Sequence, residues 1–163
     1  MLMRPIALLR LGLLGLAAGL SGCGSDPEVD PDQVRRVTLY ALDPVPAPPA
    51  DGDPSLASFR GYPVLGLVHV EQADRASVLI DAFNNGVARG GTVVDCFWPR
   101  HGLQVERIGG EVVDYVICFE CLQFVSHRGE SSASGTTDRS PQPVFDALLR
   151  SAGVPLAPPS GPG

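Results

Sequence analysis

The chain has no lysine, two methionines, one tryptophan and few aromatic residues, and every one of its 12 basic residues is arginine. Without lysine, Schiff-base chemistry is excluded. Positive charge is also scarce: 12 Arg against 18 Asp+Glu leave a net charge of −6. An acidic chain with no basic stripe argues against nucleic acid and against adhesion to anionic lipid. Phosphate-loop glycines, a nucleophile elbow and a paired-histidine metal motif are missing. No internal repeat or coiled-coil heptad is visible. The one long apolar run, Leu11 to Leu20, falls well short of the ~20 residues that a membrane-spanning helix needs.

That run belongs to an export signal. Arg4 and Arg10 charge the start, the apolar stretch follows, and Leu20-Ser21-Gly22 lead into Cys23. Small residues directly before a cysteine resemble the lipobox of bacterial lipoproteins. The resemblance implies cleavage after residue 22 and diacylglycerol on the sulfur of Cys23. Acyl chains contribute ~0.8 kcal/mol per buried CH₂, so several chains anchor stably where one is marginal. The expected location is the cell envelope, on the outer side of the cytoplasmic membrane or in the outer membrane. Removing residues 1–22 takes Arg4 and Arg10 and no acids, so the mature chain has 10 Arg against 18 acids, a charge of −8.

Residues 23–33 are polar and proline-containing and read as a flexible tether. Residues 34–155 have the size of one domain, and 156–163 read as a disordered tail. Strands are expected over 34–42, 59–70 and 92–97. The clearest hairpin joins 103–108 to a long strand over 111–125, and 126–137 is a polar excursion. One helix should span 74–88, capped by Asp74 and stopped by Gly90-Gly91. A second should open on Ser140 and Pro141 and stop at Gly153. The expected fold is a single α+β domain: an antiparallel sheet of about five strands with two helices on one face.

Cys96, His101, Cys118, Glu120 and Cys121 are the candidates for chemistry. The spacing C-x4-H-x16-C-x2-C satisfies tetrahedral zinc counting, with Cys96, His101, Cys118 and Cys121 as ligands. Geometry weakens it. Inside one strand, side chains three apart point to opposite faces. That disfavours both a shared metal and a Cys118–Cys121 disulfide, and no cofactor is expected. A three-residue turn, Gly109 to Glu111, pairs Leu103 with Ile117 and Val105 with Tyr115. It puts residues 113, 115, 117, 119 and 121 on the core face and removes His101 from Cys118. Three readings remain open. The cysteines are buried thiols or one disulfide from Cys96 to Cys118 or Cys121, the preferred reading; or a metal site; or Cys96 is a nucleophile with His101 as its base.

The segments Cys96-Phe97-Trp98-Pro99-Arg100-His101-Gly102 and Ile117-Cys118-Phe119-Glu120-Cys121 resemble a family of small bacterial proteins, many with lipoprotein signals, built around C-F-x-P-R-H-G and I-C-F-E-C. Leu39 to Pro44, Gly61 to Gly66 and Ser140 to Asp146 extend the likeness over most of the domain. The family carries no assigned activity, so the resemblance implies one intact domain and draws attention to Arg100 as well. The leading expectation is a membrane-anchored envelope lipoprotein with a non-catalytic binding or structural domain and an unidentified envelope partner. The alternative is a thiol- or metal-dependent site on Cys96, His101, Cys118 and Cys121.

Overall fold

A computed structural model describes residues 28–46 and 57–158. The signal peptide, Cys23, the first part of the tether and the end of the tail lie outside the described residues. Within them an antiparallel sheet carries two helices. The strands are β1 (Val34–Leu42), β2 (Ser58–Phe59), β3 (Tyr62–Val70), β4 (His101–Arg107), β5 (Val112–Cys118), β6 (Gln123–Arg128) and β7 (Ser131–Thr136), in spatial order β2-β3-β1-β4-β5-β6-β7. Helix α1 (Ala73–Arg89) follows β3 and α2 (Gln142–Ser151) follows β7. No helix among the described residues is long and apolar enough to cross a membrane.

The sheet therefore has seven strands where about five were expected. The expected strands over 59–70 and 111–125 are each two strands joined by a turn, and part of the polar excursion forms β7. Residues 92–97, expected as a strand, are coil.

Alternation decides which face is buried. Val37, Leu39 and Ala41 of β1, Leu103 and Val105 of β4, and Val113, Tyr115 and Ile117 of β5 line one face. Leu79, Ile80 and Phe83 of α1 and Phe145 and Leu149 of α2 close over it. The other face is mostly polar, with a small cluster of Leu42, Phe59 and Val116 beneath β2.

The β4–β5 register differs from the expected one. Leu103 faces Tyr115, Val105 faces Val113 and His101 faces Ile117. The turn has three residues, but they are Ile108, Gly109 and Gly110, because both glycines take the positive φ that the reversal needs. The register has slipped by two residues rather than one, so every side chain keeps its expected face.

Neither helix has a side-chain cap. Asp74 lies within the first turn of α1, and Ser140 instead donates to Asp138 ahead of α2. The packed domain also begins before β1. Val29 is buried, with Asn84 of α1 bonded to both its N–H and its carbonyl. Residues 31–33 then form a short 3-10 turn capped by Asp30. At the other end Leu156 packs on the core, and Pro158 accepts a hydrogen bond from Arg100 at 2.8 Å.

Candidate thiol centre

Cys118 ends β5, and the chain then reverses through residues 119–122 into β6. Leu122 makes this turn possible by adopting φ 59°, a left-handed conformation that costs a residue with a side chain roughly 1–2 kcal/mol. The turn holds no glycine, proline, asparagine or aspartate, which is why the alternating pattern reads straight through it. Reversal brings Cys118 and Cys121 to the same side. Their sulfurs are bonded, with Cα atoms 5.2 Å apart, although the strand reading disfavours this pair and prefers a disulfide from Cys96. The N–H of Cys121 also donates to the Cys118 Sγ at 3.2 Å.

Cys96 arrives from the coil that follows α1. Gly91 lets this segment pass close to the turn, since a Cβ there would lie 2.8 Å from the Thr137 carbonyl oxygen and 3.0 Å from Leu122. The Val94 N–H then donates to the Cys121 carbonyl at 3.3 Å, and the Gln123 side-chain amide donates to the carbonyls of Val94 and Cys96. All three sulfurs lie within 4.8 Å of one another. Cys118 and Cys121 are buried, whereas Cys96 is a free, half-buried thiol.

Arginines brace the turn from outside. Arg100 reaches the Glu120 carboxylate at 2.8 Å, and Arg139 donates to the Glu120 carbonyl at 3.3 Å. Glu120 is thus a turn residue engaged by arginine rather than a strand residue on the open face.

His101 lies elsewhere. It is 3% exposed on the helix-covered face, between the rings of Phe119 and Phe145. Its Nε2–H donates to Asp146 of α2 at 2.9 Å, and Arg150 approaches the other carboxylate oxygen at 3.2 Å. This hydrogen bond, with the adjacent charges, holds the Asp146 carboxyl below the usual carboxylate range against the opposing effect of burial. Of the four proposed zinc ligands the structure gathers the three cysteines and not the histidine.

Two partners escaped the sequence. Asp146 gave no signal beyond a polar position within an amphipathic helix. Asp114 is 6% exposed on the sheet's outer face, held by Arg60 at 2.7 Å and Gln104 at 2.9 Å. An acid between Val113 and Tyr115 in an otherwise apolar strand was the available sign. Comparison with protein-family models, with curated proteins and with solved structures found no match.

Proposed function

We propose that this chain is a lipid-anchored domain of a bacterial envelope whose working part is a thiol–disulfide centre. The observation that carries this reading is the free Cys96 thiol lying within 4.8 Å of both sulfurs of the Cys118–Cys121 pair. In the exchange step the Cys96 thiolate attacks one sulfur of the pair. A Cys96 disulfide forms, the Cys118–Cys121 bond breaks, and the displaced sulfur leaves as a thiolate that takes up the proton Cys96 gave up. Oxidation state is unchanged overall. Net reduction requires two electrons from an envelope dithiol, which leaves as a disulfide. Cys96, being half-buried, is the point of entry, and the buried pair is the store. His101 takes no part in this step, since its ring is engaged by Asp146.

A second reading keeps the domain non-catalytic, a binding or structural module with the disulfide as a staple; burial of both sulfurs favours it. The staple would be weak. Closing a loop of sequence separation 3 contributes only about 2 kcal/mol in the chain-entropy account.

The full chain bearing Cys23→Ser tests the proposal. Alkylation and mass spectrometry should find one free thiol before reduction and three after. Glutathione should reduce the pair more slowly once Cys96→Ser is added. An unchanged rate would reject exchange in favour of the staple. Cys23→Ser should also release the chain from membranes, and retention would reject the lipid anchor.

A further inference from the structure

Beyond exchange, we infer that the reduced cluster binds one monovalent copper ion through Cys96, Cys118 and Cys121. Three sulfurs within 4.8 Å of one another need only small side-chain movements to close on one ion once the Cys118–Cys121 bond has been reduced by a dithiol. Binding is then a plain ligand exchange: three thiols lose their protons, three copper–sulfur bonds form, and copper stays monovalent. Thiolate is a soft ligand, which restricts the choice to soft cations.

Coordination number narrows it further. Structural zinc takes four protein ligands. Among the described residues no histidine, aspartate or glutamate joins the three sulfurs. The expected fourth ligand, His101, is committed to Asp146 between two phenylalanine rings. Two of the sulfur-bearing residues are 1% and 0% exposed, so solvent approaches the cluster from the Cys96 side alone. Monovalent copper, by contrast, is satisfied by three thiolates.

The site also has features that offset thiolate charge. The Cys121 N–H already points at the Cys118 sulfur at 3.2 Å, a contact that strengthens when sulfur is anionic. Arg139 bonds to the same turn through the Glu120 carbonyl. Cys96 sits on a coil laced to the turn by Val94 and Gln123, so the third ligand is positioned by hydrogen bonds rather than supplied at random.

The test uses the full chain carrying Cys23→Ser, reduced with dithiothreitol, desalted without oxygen and shown by alkylation to hold three thiols. It is then titrated with Cu(I) in competition with bicinchoninate. One equivalent should leave the chelator, with a thiolate-to-copper absorption in the near ultraviolet. The copper-loaded chain should resist air reoxidation of the Cys118–Cys121 pair. Cys96→Ser, altered at a coil residue outside the hydrophobic core, should stay folded and lose the one-equivalent uptake. Failure of the three-thiol protein to withdraw copper would overturn the inference while leaving exchange untouched. Equal one-equivalent uptake by Cys96→Ser would overturn it as well, and so would withdrawal of zinc from a chromophoric zinc chelator in preference to copper.

Discussion

Asp146→Ala should destabilise the fold by about 1–3 kcal/mol, because it strands a buried donor. His101 is 3% exposed, and its Nε2–H reaches the Asp146 carboxylate at 2.9 Å. Removing the acceptor leaves that buried N–H without its partner, and the cost is the desolvation penalty of the group. Asp146→Asn keeps an oxygen in place and should cost about 1 kcal/mol, the difference between a charge-assisted and a neutral hydrogen bond. Arg150→Ala supplies the control. Its side chain is 65% exposed, so the loss should stay near or below about 0.5 kcal/mol. The pH dependence has a definite sign. The folded-state carboxyl of Asp146 lies below its ordinary value, first because His101 donates to it. Its contribution is therefore complete above the unfolded value near pH ~4 and disappears as pH falls through the folded one. Urea titrations followed by circular dichroism at neutral and strongly acid pH should show the Asp146→Asn deficit shrinking in acid, with the slope unchanged. If Asp146→Ala costs no more than Arg150→Ala at neutral pH, His101 is not a pin between sheet and helix.

Gly102→Ala should cost about 1–3 kcal/mol through overpacking, since the new Cβ would lie 2.7 Å from Phe59 ring carbons, and thermal unfolding measures it. Phe59 cannot simply swing aside, being stacked on Tyr40 with ring centroids 4.3 Å apart. On the same outer face the His127 pKa is depressed, first by burial and then by the Arg60 charge. Arg60→Ala should move the NMR titration of His127 up toward its ordinary value, and a downward shift would contradict the placement of Arg60.

Periodicity made the helices, β1, β3 and the faces of the central hairpin legible. The two-residue register error shows why faces survived: alternation specifies parity, while the choice among equal-parity registers fell to the glycine turn. The cysteines show the limit. Phe119-Glu120-Cys121-Leu122 carries no turn chemistry, so the reversal that joins Cys118 to Cys121 rests on a left-handed leucine and on tertiary contacts. Cys96 meets them only because coil replaces a stretch whose valines suggested a strand. His101, offered as a zinc ligand or as the base for Cys96, is instead held by Asp146, 45 positions away, and no spacing in the sequence ties the two together.

Docking of Val29 onto Asn84 has a consequence for reach. If Cys23 is the lipid anchor, the chain between it and Val29 can extend no further than about 20 Å even when fully stretched. A domain of this length has a radius of gyration near 14 Å, so the leash is shorter than the domain is wide. The body would ride against the bilayer surface, able to tilt and swivel but not to roam. The thiol centre would then stay no further from the bilayer than roughly one domain width plus the leash.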